Sequence, residues 1–238
     1  MRNVLLTTAA AFALLATSFG AGAADLPPRP TPYAAPIVAP YNWTGIYLGI
    51  NGGYAWGQQD PLNIITNRFD NSSLSFSGGV FGGTFGAQVQ VGHVVLGLES
   101  DIDWANLKGT AIFNPTVIGG GPFGLVSAST KIDWISTARA RVGYANENLL
   151  FYMTGGLALL GAQTNLTAVT GGAVCGAVLT NCAGASRQIG AALGTGMEYG
   201  FTPNWSAKVE YLYVTAVSLD VSHHSEVRLG INYRIGGN

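Results

Sequence analysis

Near the C-terminal end of this 238-residue chain, Asp220, Ser222, His223, His224 and Ser225 gather the side-chain types that serve hydrolysis or metal and haem ligation. Their spacing matches no nucleophile motif. An adjacent His pair in a polar turn reads first as solvated surface; contact of His223 and His224 with a metal or haemin is the functional alternative. Cys175 and Cys182 are the two cysteines, set in a glycine-rich stretch with no His or third Cys to complete a zinc site. They read as a disulfide closing a small loop in an oxidising compartment. Gly119-Gly120-Gly121 and Gly190-x-x-x-Gly194-x-Gly196 lack the Lys-Ser/Thr and the helix that a phosphate loop requires. Hence no cofactor, metal or catalytic role is predicted.

A larger constellation is ionic. Glu99, Asp101, Asp103, Asp133, Glu198, Glu210 and Glu226 alternate with apolar residues along the chain, as do Lys131, Arg139, Arg141, Lys208, Arg228 and Arg234. Alternation places all of them on one face of a set of strands. Only 11 basic and 12 acidic residues exist in the whole chain, against 34 glycines and 48 % hydrophobic residues. So low a charge content is wrong for an ordinary water-facing surface. No basic cluster suits nucleic acid, the aromatic content excludes disorder, and after residue 20 no apolar run is long enough for a spanning helix. A compact all-β protein and a membrane β-barrel remain.

Eight alternating segments carry the pattern, the last with Val227, Leu229, Ile231, Tyr233 and Ile235 on one side and Glu226, Arg228, Gly230, Asn232 and Arg234 on the other. In a soluble sandwich the apolar face would be the core. In an outer-membrane barrel it meets lipid, and long outer loops alternate with short periplasmic turns. Here long connections near 57–77, 109–128 and 163–186 alternate with short ones near Gly92-His93, Ala145 to Asn148 and Thr202 to Asn204. The connection near Asp220 to Ser225 is short but falls on the long-loop side. Aromatics form two sets, as membrane interfaces require: Tyr54, Trp56, Trp104 and Trp134 at the outer strand ends, and Tyr144, Phe151, Phe201 and Trp205 at the inner ends.

The amino terminus agrees with export. Residues 1–23 read as a signal peptide, with Arg2 before an apolar stretch and Ala21-Gly22-Ala23 as the cleavage pattern. Residues 24–41 hold six of the ten prolines and read as an extended periplasmic tail, either a flexible leader or a spacer touching peptidoglycan. Residues 42–238 are expected to form the barrel.

The mature start Ala24-Asp25-Leu26-Pro27, the segment Trp43-Thr44-Gly45-Ile46-Tyr47-Leu48-Gly49 and the ending Val227-Arg228-Leu229-Gly230-Ile231-Asn232-Tyr233 resemble the RopB-type small outer-membrane proteins of alphaproteobacteria, related in fold to the eight-stranded OmpA barrel. Arg228-x-Gly230-x-x-Tyr233-x-Ile235 resembles the signal read by the barrel-assembly machinery. The resemblance implies an eight-stranded antiparallel transmembrane β-barrel in the bacterial outer membrane, a role in envelope integrity and surface antigenicity, and haemin binding in some members. Its partners would be outer-membrane lipid and lipopolysaccharide. With near balance of inward acids and bases in so narrow a cylinder, the expected lumen is an ion-paired plug, Arg139 or Arg141 pairing with Glu99 or Asp101 on the preceding strand. A narrow gated pore is the alternative.

Overall fold

The computed structural model describes residues 41–59, 74–113, 126–168, 181–216 and 222–235. They form eight strands: β1 (Gly45–Gln59), β2 (Leu74–Val91), β3 (Val94–Phe113), β4 (Val126–Asn146), β5 (Leu149–Ala168), β6 (Asn181–Thr202), β7 (Trp205–Ala216) and β8 (Ser222–Ile235). Each pairs antiparallel with its chain neighbours, and β1 pairs with β8 from Ile46↔Ile235 to Gln59↔Ser222, closing the barrel. Closure leaves no free edge where the ladder runs unbroken.

Three tight turns, Val91 to Val94, Asn146 to Leu149 and Thr202 to Trp205, lie at one end together with the start of β1 and the end of β8. In outer-membrane barrels that end faces the periplasm. Two of these turns use a backbone that L-residues seldom adopt: Gly92 has φ +62°, with nothing crowding it, and Glu147 has φ +52°.

Large apolar side chains point outward. Leu229 is 65 % exposed, Leu98 68 % and Ile102 57 %. Glu99, Asp101, Arg139 and Arg228 are buried inside. Tyr54, Trp56 and Trp104 are exposed toward the outer end, and Tyr144, Phe151, Phe201 and Trp205 toward the inner end, where Tyr199 and Tyr233 join them. Trp134 is half-buried beside them, directly opposite Trp104. The ten residue steps from Trp134 to Tyr144 correspond to a rise of about 25 Å for a strand tilted near 40°, the height of an outer-membrane apolar band.

Beyond that band the walls continue. β1 and β2 reach Gln59 and Leu74, and β3 to β6 run to Phe113, Val126, Ala168 and Asn181, so strand takes up both ends of each stretch that the spacing assigns to a long loop, 57–77, 109–128 and 163–186. Outside lipid the outward residues become polar, as at Ser127, Ser129, Lys131, Gln163, Asn165 and Thr167, and the apolar alternation that reveals a spanning strand disappears.

Candidate functional site

The lumen is filled in three layers. Lowest is an aromatic and aliphatic cap of Tyr41, Trp43, Val95, Ala145, Leu150 and Tyr152. Tyr41, assigned from sequence to the end of the tail, instead tucks inside the barrel beside Trp43, with ring centroids 4.5 Å apart. Main-chain amides of this segment are held by side chains: Tyr41 N donates to Asn148 Oδ1 (3.2 Å) and Trp43 N to Gln90 Oε1 (3.0 Å). Glycine makes room for the rings, since a Cβ at Gly200 would strike Tyr41 and one at Gly196 would strike Tyr152.

Above it lies the ionic layer. Arg139, directly opposite Glu99 on the neighbouring strand, reaches Glu99 at 2.6 Å and Asp101 at 2.7 Å with Nη2, and Glu210 across the lumen at 2.9 Å with Nη1. Arg228 on β8 binds Asp103 at 2.7 Å, Glu210 at 2.8 Å and Asp101 at 3.0 Å, with Glu226 at 3.7 Å. Lys208 on β7 reaches Glu99 at 3.0 Å. Arg141 binds Glu198, lies 3.6 Å from Glu99 and sits over the Tyr152 ring at 3.6 Å. Neutral donors add to the carboxylates: Tyr47 OH to Glu99 (2.7 Å), Thr137 to Asp101 (2.7 Å), and Ser206 and Asn232 to Glu198 (2.5 and 2.9 Å). Four cations therefore tie β3 and β4 to β6, β7 and β8 straight across the cylinder. Charge-assisted bonds in a water-poor interior are the strong class, and each remaining polar partner lowers the cost of burying the charge.

Uppermost is a second apolar layer: Ala55, Phe76, Val80, Ala105, Leu107, Ile132, Ile135, Ala158, Leu160, Ala162, Ala192 and Val214. No contrast between faces marks it in the sequence. Alternation alone cannot separate inward apolar residues from lipid-facing ones once both faces are apolar.

Several predicted site residues lie elsewhere. Lys131 and Asp133 leave the lumen, pairing with each other at 2.5 Å with side chains 46 % and 28 % exposed. The cause is a β-bulge: Ile132 pairs with Ala162 but Trp134 with Gly161, leaving Asp133 as the extra residue and reversing the faces above it. Ile132 thus points inward, where strict alternation puts it outward. Arg234 joins no ion pair among the described residues. Its guanidinium stacks on Tyr41 (4.6 Å) and Trp43 (5.1 Å) and donates to Asn42 O, making it part of the lower cap.

His223 and His224 belong to β8, not to a turn, so they face opposite sides of the wall. His224 is buried, 6.4 Å from Phe76, and His223 lies beside Tyr213 on the outside at 6.1 Å. The two imidazoles do not converge on one ligand. His93, in its turn, bonds Ala145 O through Nδ1 at 3.0 Å and stacks on Tyr144. Cys175 and the Cys182 side chain, with the signal peptide and the tail to residue 40, lie outside the described residues.

Known proteins are similar to this chain over most of its length. A family model described as outer membrane protein beta-barrel domain matches residues 10–234. The 31 kDa outer-membrane immunogenic protein of Brucella melitensis biotype 1 is 36 % identical, covering 98 % of this chain and 100 % of the relative. A 22 kDa outer membrane protein of Rhizobium leguminosarum bv. viciae is 29 % identical over 78 % of this chain and 70 % of its own length. Among solved structures, Neisserial surface protein A aligns with a TM-score of 0.43 and 12 % identity, over 81 % of this chain and 98 % of that one. The chain belongs to the outer membrane protein beta-barrel family and resides in the bacterial outer membrane.

Proposed function

We propose that the protein is a non-conducting, non-enzymatic barrel that stiffens the outer membrane and presents its outer connections at the cell surface. One observation carries the reading: the ionic layer lies between two apolar layers, so an ion crossing the lumen would have to displace the Tyr41–Trp43 cap, break the Arg139 and Arg228 clusters, and enter a space lined by Leu107, Ile135 and Leu160. Eight strands enclose an interior only wide enough for side chains, which is consistent with a solid cylinder. Cross-lumen pairs act as struts between opposite walls. Surface antigenicity is supported by the immunogenic-protein name of the Brucella relative.

Planar-bilayer recording tests this. Wild type and the Arg139→Gln/Arg141→Gln double variant are expected to give no steady unit conductance. A stable step of porin size from the wild type, altered in ion selectivity by the double variant, would establish the gated pore instead.

A further inference from the structure

Eight Lys and Arg residues fall within the described chain, and five of them, Arg139, Arg141, Lys208, Arg228 and Arg234, are lumenal. The other three, Lys108, Lys131 and Arg187, all face outward and all sit at one place, on β3, β4 and β6 just beyond the outer tryptophans. Register fixes their neighbourhood. Lys108 pairs directly with Lys131, Lys131 with Gln163, and Arg187 with the Gly161 that also pairs with Trp134. Across the strands the three cations span about 14 Å.

This is an unfavourable arrangement for a protein alone. Like charges directly opposite on one face of a sheet repel. Asp133 answers Lys131 and also accepts from Gln163 (2.6 Å), but neither Lys108 nor Arg187 has a hydrogen-bond or ion-pair partner among the described residues. Among the described residues, one acid against three bases leaves the patch with an excess of two positive charges. Its height decides the ligand: Trp104, 69 % exposed, and Trp134 mark the edge of the apolar band, so acyl chains pack below and the ionised headgroup of the outer leaflet begins here.

We infer that Lys108, Lys131 and Arg187 form a binding site for the phosphate groups of a phosphorylated saccharolipid of the outer leaflet, with Gln163 offering its amide to the sugar and Trp104 and Trp134 packing against the upper acyl chains. The site lies on the outer wall and does not depend on whether the lumen conducts. Bound anion removes the repulsion between Lys108 and Lys131, so the lipid stabilises the folded barrel by mass action.

The experiment refolds wild type, the Lys108→Gln/Lys131→Gln/Arg187→Gln variant and a Lys108→Arg/Lys131→Arg variant into phosphatidylcholine vesicles. Each is measured alone, with bisphosphorylated lipid A, with dephosphorylated lipid A, and with inorganic phosphate at matched concentration. The readout is the midpoint of thermal conversion from the fast-migrating folded band to the unfolded one. Bisphosphorylated lipid A is expected to raise the wild-type and double-Arg midpoints by roughly 5 °C and leave the triple-Gln midpoint unmoved. Neither dephosphorylated lipid A nor inorganic phosphate is expected to shift any of them. An equal shift in the triple-Gln variant, or from dephosphorylated lipid A, would overturn the site. An equal shift from inorganic phosphate would replace the lipid by a free anion. Should the triple-Gln variant fail to fold, the phosphorylated and dephosphorylated arms on wild type and the double-Arg variant still decide.

Discussion

Replacing Arg228 by methionine is expected to destabilise the barrel more than the same change at Arg139, although Arg139 makes the shorter bonds. The reason lies in what each removal leaves behind. Without Arg139, Glu99 keeps Lys208 at 3.0 Å, and Asp101 and Glu210 keep Arg228 at 3.0 and 2.8 Å. Without Arg228, Asp103 loses the one cation that pairs with it among the described residues, 2.7 Å away, and Glu226 the one at 3.7 Å. Breaking a buried pair by removing one partner costs about 3–5 kcal/mol because the surviving charge is stranded. Arg139→Met belongs at about 3 kcal/mol, the lower end, and Arg228→Met at about 5 kcal/mol, the upper. The double change Arg228→Met/Asp103→Leu removes the stranded charge and is expected to recover about 2 kcal/mol. Reversible urea unfolding in lipid vesicles, followed by tryptophan fluorescence, measures all three. A loss below about 1 kcal/mol for Arg228→Met, the range of exposed pairs, or the reverse ranking of the two arginines, would refute the strut reasoning.

Other consequences follow from the layers and the faces. Trp43→Ala should cost about 3–5 kcal/mol as a fully buried indole is lost from the lower cap, yet leave bilayer recordings silent because the two layers above it persist. Gly86→Ala puts a Cβ into the Tyr47 ring, and a loss of about 1–3 kcal/mol in the same unfolding assay is expected. Leu229→Arg, on the lipid face near mid-height, should cost about 2–4 kcal/mol, whereas Leu229→Ala should cost less. In haemin titrations, His224→Ala should leave any weak surface binding unchanged, since that ring is inside, and only His223→Ala should alter it.

The spanning part of the fold was legible because lipid demands a strict contrast between faces, and β7 and β8 display it without interruption from Trp205 to Tyr211 and from Glu226 to Ile235. The inward charges were legible for the same reason: an ionised residue every second position amid apolar ones has nowhere to go but inside. What failed depends on features that alternation does not carry. A single extra residue at Asp133 reversed the assignments of Lys131 and Ile132, and nothing in the local sequence marks a bulge without glycine. Arg234 continues the charged face of β8, but its height in the cylinder sets it against Tyr41 and Trp43 in place of a carboxylate. Tyr41 looked like tail because Pro40 precedes it, though an aromatic pair at the mouth of a narrow barrel is a natural stopper. Adjacent histidines invited a shared ligand, which a strand geometry forbids.

Nitroxide labels placed singly at Val227, Leu229 and Ile231 on the outside, and at Ser206 and Thr154 on the inside, test sidedness and closure together in lipid vesicles. Power-saturation EPR should find oxygen collisions highest at Leu229, and neither oxygen nor a water-soluble nickel chelate reaching Ser206 or Thr154, which are buried among the ionic struts. Nickel collisions at the two inner positions, or a Leu229 label shielded from oxygen, would contradict a solid cylinder solvated by lipid.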